Sequence, residues 1–153
     1  MYKMKICRHF NYCGGCNLQD TSYREQLELK TKLIKERADK NGVDIKRRFK
    51  KILSSPVKYN YRNKMEFTFY AEEDGGLCLG LHGNKQNRRV IELKECLIAG
   101  REVINVLKVT LKFGRKNNLK GYHRYRQKGY LRYLLIRKSL SKKELMVILV
   151  TTG

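Results

Sequence analysis

Long apolar segments are missing from this sequence. No stretch approaches the roughly 20 apolar residues of a transmembrane helix, and the N-terminal segment MYKMKICRHF lacks the apolar core of a signal peptide. Internal repeats and low-complexity segments are missing as well. These absences argue against a membrane partner and against export, and they predict a cytoplasmic protein.

Acidic residues are scarce beside basic ones. The 153 residues include 35 Lys and Arg but only 14 Asp and Glu, which gives a formal charge of +21. Because this excess is larger than solubility requires, it indicates a polyanionic partner. RNA, DNA and an anionic membrane surface all fit the charge, with membrane the weakest of the three, and a merely basic soluble protein fits it too.

Hydrophobic periodicity predicts two helices. Ser22 and Glu25 form a candidate capping box, and the helical spacing of apolar residues after them predicts a helix that ends at Gly42. A second amphipathic helix is predicted from Val103, with its end near Gly114.

Runs of alternating or continuous apolar residues predict an antiparallel sheet. Its strands are expected at residues 65–72, 77–81, 90–93, 130–136 and 145–150. Asp74-Gly75-Gly76 would join the first two strands as a hairpin, and residues 139–144 would join the last two. The last strand is apolar throughout, which predicts a central position in the sheet and further structure after it. The predicted fold class is therefore α+β.

Five cysteines occur without an export signal, so we expect reduced thiols and metal or cluster ligation. Three of them form the pattern C-x5-C-x2-C at Cys7, Cys13 and Cys16. Gly14 and Gly15 let the backbone curl so that thiolates converge, and they expose amide groups that can donate to sulfur. The segment has no hydrophobic period, which indicates a loop. Such a loop needs a bound metal or cluster to stabilise its conformation.

The fourth ligand has two candidates. Cys78 lies within a predicted strand, where a free cysteine is most often a small buried hydrophobe. Cys96 lies in a loop that can bend toward the N-terminal cysteines, and we select it. Four thiolates can hold zinc or a [4Fe–4S] cluster, and spacing alone leaves both open, although three close cysteines plus a distant one are more usual for clusters.

The histidines are not selected as ligands. Because four cysteines suffice for a cluster, His9 and His82 are interpreted as polar surface or core residues. His123 lies in a basic loop and is at most an RNA contact.

A short basic segment supplies the first candidate RNA contacts. The start of the strand carries the guanidinium of Arg62, the amide of Asn63 and the ammonium group of Lys64. These groups suit contacts to phosphates and base edges. For Asn63, a structural role on a solvated face fits equally well.

A loop between residues 112 and 132 supplies the second set, because cations alternate there with tyrosines. Its candidate RNA contacts are Arg124, Arg126, Tyr130 and Arg132. Bases can stack on rings while guanidinium groups hold phosphates, as in folded or splayed RNA. A charged run is usually only a solvated face, but the tyrosines of this one add stacking platforms.

These residues resemble a known family. The run Cys7-x5-Cys13-Gly14-Gly15-Cys16-x-Leu18-Gln19, with Tyr23, Gln26, Leu27 and Lys30 after it, is similar to the cluster signature of the RNA (uracil-5-)-methyltransferases. Further similar segments are Tyr61-Arg62-Asn63-Lys64-Met65-Glu66-Phe67, Glu95-Cys96, Gly129-Tyr130-Leu131-Arg132 and Glu144-Leu145-Met146-Val147. The resemblance covers nearly the whole chain.

The resemblance implies a [4Fe–4S] cluster on Cys7, Cys13, Cys16 and Cys96. It implies an iron–sulfur lobe with the first helix at 1–43, packed on an antiparallel-sheet RNA-binding domain at 44–153. The partner would be structured RNA, with ribosomal RNA preferred and transfer RNA left open, and the protein would be a monomer.

Members of this family transfer a methyl group from S-adenosylmethionine to uracil C5. The sequence has no glycine-rich strand–turn–helix motif for that cofactor and no late catalytic cysteine. We therefore expect a fragment truncated before a Rossmann-type catalytic domain, with no catalytic or S-adenosylmethionine-binding residues and no activity alone. The alternatives are a stand-alone zinc-stapled RNA-binding module and an electron-transfer ferredoxin, and the charge argues against the latter.

Overall fold

The computed structural model describes residues 5–72, 75–86, 89–139 and 141–153. Its elements are α1 (Tyr23–Lys40), β1 (Lys64–Ala71), β2 (Leu77–His82), β3 (Val90–Glu92), α2 (Arg101–Lys116), β4 (Leu131–Lys138) and β5 (Leu145–Thr151). The strands form one antiparallel sheet in the order β3-β2-β1-β4-β5. The predicted α+β class is confirmed, while Asp74 of the predicted hairpin turn lies outside the described residues.

The chain forms two compact units. One consists of Leu18–Pro56 with the residues before Cys7, and the other of Cys7–Asn17 with Val57–Gly153. The cysteine loop is thus grouped with the sheet. The expectation from the sequence is instead that it forms a lobe with the first helix that ends at residue 43.

Helix α1 begins and ends as predicted. The Ser22 hydroxyl accepts from the Glu25 amide at 3.3 Å, and the Glu25 carboxylate accepts from the Ser22 amide at 2.9 Å, which completes the capping box. Gly42, with φ +67°, follows the C-cap. Across the described residues, no helix is both long enough and apolar enough to span a bilayer.

The hydrophobic core lies between α2 and one face of the sheet. The buried residues of α2 are Val103, Ile104, Leu107, Leu111 and Gly114. The four apolar side chains among them belong to one cluster with alternate residues of β1, β2 and β4, such as Phe67, Leu79 and Leu134. The helix continues through Gly114 to Lys116, beyond its predicted end. A Cβ at Gly114 would lie 2.6 Å from Leu77 Cδ2, so this glycine permits close packing and does not end the helix.

Strand β5 is at the edge of the sheet, so its predicted central position is wrong. Among the described residues it pairs with β4 alone. Four of its apolar side chains are 39–58% exposed, namely Met146, Val147, Ile148 and Leu149. The apolar pattern correctly indicated a strand with two apolar faces, but a pattern carries no information about which neighbours are present.

Candidate metal centre and nucleic-acid interface

The cysteine loop is attached to the end of β2 by backbone hydrogen bonds. The Gly14 amide donates to the His82 carbonyl at 3.0 Å, and the Asn84 amide donates to the Tyr12 carbonyl at 2.9 Å. A Cβ at Gly14 would lie 2.9 Å from the Gly83 carbonyl oxygen. Glycine is therefore required here because two backbone segments approach closely.

The segment that leads into Cys96 contacts the same loop. The Arg8 amide donates to Glu95 Oε1 at 2.8 Å, and the Lys94 amide donates to His9 Nε2 at 3.0 Å. Because Nε2 accepts this bond it is unprotonated, and burial also lowers the pKa of His9. These contacts place Cys96 beside the N-terminal cysteines.

Backbone amides point at two of the sulfurs. The Gly15 amide donates to Cys13 Sγ at 3.4 Å, and the amides of Ile98 and Ala99 donate to the Cys96 sulfur. Such bonds favour the thiolate form. In iron–sulfur proteins, hydrogen bonds to the sulfurs also help to set the reduction potential of the cluster.

The four selected cysteines interact electrostatically. Burial raises the pKa of Cys13, Cys16 and Cys96, and the charges of the other cysteines raise each of them further. Cys16 is affected by all three of the others, including Cys7. The Arg62 charge acts in the opposite direction on Cys13 and Cys16. A cationic centre bound by the thiolates would offset the repulsion among them.

The donor chemistry of this set fits a thiolate-held group. None of the five cysteines, all of which lie in the described residues, forms a disulfide. Within the described part of the chain, however, no group of three or more His, Cys, Asp or Glu side chains is arranged to hold a metal ion. A zinc site needs its sulfurs about 2.3 Å from one ion, whereas a [4Fe–4S] cluster spreads four thiolates over separate irons.

Cys78 is separate from this set. It is 2% exposed, and its thiol donates to the Val90 carbonyl at 3.7 Å. Burial raises its pKa to about 12. The prediction that Cys78 is a buried hydrophobe is confirmed.

The first predicted RNA segment divides between two environments. Arg62 is close enough to the cysteines to lower the pKa of two of them, and its amide donates to the Ile98 carbonyl at 2.9 Å. Asn63 and Lys64 line a groove of about 790 Å³ together with Arg137. Sequence reasoning missed Arg137, which is the register partner of Lys64 in the pairing of β1 with β4.

The second predicted RNA segment forms a tight, projecting loop before β4. The His123 amide donates to the Lys128 carbonyl at 2.7 Å, which places Arg124 and Arg126 at an exposed tip. Tyr125 at this tip is 92% exposed and Tyr130 is 48% exposed. Arg132 differs, since its guanidinium lies against two tyrosine rings.

The structure does not bring the two predicted RNA segments together. Lys64 pairs with Arg137 near the end of β4, whereas the loop precedes the first residue of β4, Leu131. Arg137 lies six residues along β4 from Leu131. At the rise of a strand this separation is about 20 Å. The basic residues therefore form two patches, a groove patch at Asn63, Lys64 and Arg137, and a loop patch at Arg124, Arg126, Tyr130 and Arg132.

Comparison with solved structures identifies the class of fold. The chain superimposes with a TM-score of 0.69 on Pyrococcus abyssi tRNA (uracil-54, C5)-methyltransferase, solved in complex with S-adenosyl-L-homocysteine. The match has 23% sequence identity and covers 92% of this chain and 32% of that one. At this identity the likeness shows a shared fold.

Sequence comparison leads to named relatives, although no family model matches the chain. An uncharacterized RNA methyltransferase of Clostridium tetani is 42% identical over 99% of this chain and 34% of its own length. Another, of Caldanaerobacter subterraneus subsp. tengcongensis, is 37% identical over 95% of this chain and 32% of its own length. The chain is thus homologous to part of proteins named RNA methyltransferases, which confirms the resemblance, and it spans about a third of their length.

Proposed function

We propose that this chain is the iron–sulfur and RNA-binding part of an S-adenosylmethionine-dependent RNA (uracil-5-)-methyltransferase that acts in the cytoplasm. The observation that carries the proposal is that Cys7, Cys13, Cys16 and Cys96 lie near enough to interact electrostatically, in a chain homologous to part of proteins named RNA methyltransferases. Methyl transfer and cofactor binding are assigned to the longer protein, because their motifs do not occur in this sequence.

The four cysteines would hold a [4Fe–4S] cluster, which would supply a structural staple when bound. The loop at 7–17 has few apolar residues, so it gains little stability from its own burial. Cys13 and Cys96 also pack against the hydrophobic core. A group bound between these two segments would therefore connect the loop to the sheet.

The two basic patches support binding of structured RNA. Lys and Arg on both patches can neutralise phosphates, while Tyr125 and Tyr130 are exposed enough to stack on bases. Ribosomal RNA is the predicted class, and the substrate named for the Pyrococcus protein makes transfer RNA the natural comparison.

The test measures RNA binding, cofactor binding and methyl transfer by the same cluster-loaded protein. We expect binding to ribosomal RNA fragments that weakens steeply with salt, together with no heat of binding for S-adenosylmethionine and no labelled methyl at uracil C5. Tighter binding to transfer RNA would correct the substrate class. The absence of RNA binding at low salt, or methyl transfer by this chain alone, would contradict the proposal.

A further inference from the structure

Arg132 is the extra residue of a β-bulge. Leu131 and Tyr133 of β4 are opposite the consecutive β5 residues Thr151 and Val150, so two steps on β4 correspond to one on β5. A bulge bends the strand and changes the direction of the side chain that it inserts. Bulges are frequent beside functional sites for this reason.

The guanidinium of Arg132 is held by two aromatic rings. Its Cζ lies 4.8 Å from the ring centroid of Tyr122 and 5.8 Å from that of Tyr133. Both distances are within the range of cation–π attraction. The Tyr122 amide donates to the Leu131 carbonyl at 2.7 Å, so the backbone fixes this tyrosine beside the bulge.

Two glycines make this arrangement possible. Gly129 has φ +111°, and a Cβ there would lie 2.2 Å from the Gly121 carbonyl oxygen. A Cβ at Gly121 would lie 2.7 Å from the backbone of Tyr70. The loop patch is therefore packed closely against the sheet at its base, although its tip is exposed.

The Arg132 side chain is partly desolvated, and no acidic side chain of the described residues forms an ion pair with it. Its Nε is buried and has no hydrogen-bond partner, and it is the one side-chain nitrogen or oxygen in that condition among the described residues. Unpaired buried donors are unfavourable and call for an explanation. The terminal guanidinium nitrogens are not buried without a partner, and the Arg132 side chain as a whole is only partly buried.

We propose that Arg132 is a fixed binding residue for one RNA phosphate and that Tyr122 and Tyr133 are positioning residues that hold its guanidinium. This proposal rests on the proposed RNA binding and deepens it. Arg124 and Arg126 at the exposed tip supply charge without fixed geometry. The planar fork of Arg132 is held in advance, and bidentate phosphate contacts depend on such geometry.

The test is a double-mutant cycle on RNA affinity, measured with the cluster-loaded protein. The variants are Arg132→Lys, Tyr122→Leu, Tyr133→Leu and each double combination with Arg132→Lys. We expect each single variant to weaken binding by about tenfold without a change in salt slope, since no charge is removed. Each double variant should bind no more weakly than its single variants, because both changes release the same guanidinium.

Matched controls separate position from charge and from folding. Arg126→Lys and Tyr125→Leu at the tip should each combine additively with Arg132→Lys, because neither side chain holds the Arg132 guanidinium. Tyr122→Phe keeps the ring and should bind like wild type, which guards against misfolding of the leucine variant. If Arg132→Lys binds like wild type while wild-type binding stays salt-dependent, this inference fails and the proposed function stands. Additive effects of the tyrosines would also overturn it, whereas absence of all RNA binding would overturn both.

Discussion

At the scale of single residues, the cysteine loop depends on a glycine with no room for a side chain. We expect Gly14→Ala to destabilise the protein by roughly 1–3 kcal/mol, because its Cβ would meet two backbone carbonyls of β2 and the residue after it. Gly15→Ala is the matched control, since its Cβ would lie 3.4 Å from Cys13 Sγ and 3.5 Å from Leu81 Cδ1. Urea unfolding measures both variants, and equal losses would contradict the observed packing of the loop.

Cys78 gives a prediction for pH dependence. Burial raises the pKa of its thiol from an ordinary 9.0 to about 12. Because the folded-state pKa is the higher one, the contribution to stability is complete below pH 9 and is lost as pH rises toward 12. Between pH 8 and pH 10, wild type should lose roughly 1 kcal/mol relative to Cys78→Ala. Urea unfolding at both values tests this, and a pH-independent difference would show that the thiol is not buried in its neutral form.

At the scale of elements, local signals were predictable from sequence and pairing was not. The capping box of Ser22 with Glu25 and the stop at Gly42 depend on neighbouring residues, so they could be read directly. Arg137 joins the groove patch only through the register of β1 with β4, and the bulge at Arg132 exists only through β5. Long-range register of this kind has no signature within a single strand.

The edge position of β5 gives a matched pair of core substitutions. Leu134 and Leu149 are direct partners across β4 and β5, but they are 1% and 45% exposed. We expect Leu134→Ala to reduce the free energy of unfolding by about 2–5 kcal/mol. Leu149→Ala should reduce it by about 1 kcal/mol or less, because its side chain is already half in water. Similar losses in chemical denaturation would mean that β5 is buried in solution.

At the scale of the whole molecule, the chain carries a formal charge of +21, and the groove patch and the loop patch lie about 20 Å apart along β4. Each phosphate contact releases condensed counterions, so Lys64→Ala and Arg126→Ala should each reduce the magnitude of the log–log salt slope by about one. If one RNA contacts both patches, the double variant should reduce it by about two. If a bound RNA uses only one patch, the single variant in the other patch should keep the wild-type slope and the double variant should match the remaining single variant.

The central claim is that Cys7, Cys13, Cys16 and Cys96 hold an iron–sulfur cluster. Its most direct test is iron and acid-labile sulfide analysis of protein purified without air, for wild type, Cys96→Ser and Cys78→Ser. We expect about four irons and four sulfides per chain in wild type, retention in Cys78→Ser and loss in Cys96→Ser. One zinc per chain without sulfide, or loss of iron in Cys78→Ser with retention in Cys96→Ser, would contradict the claim.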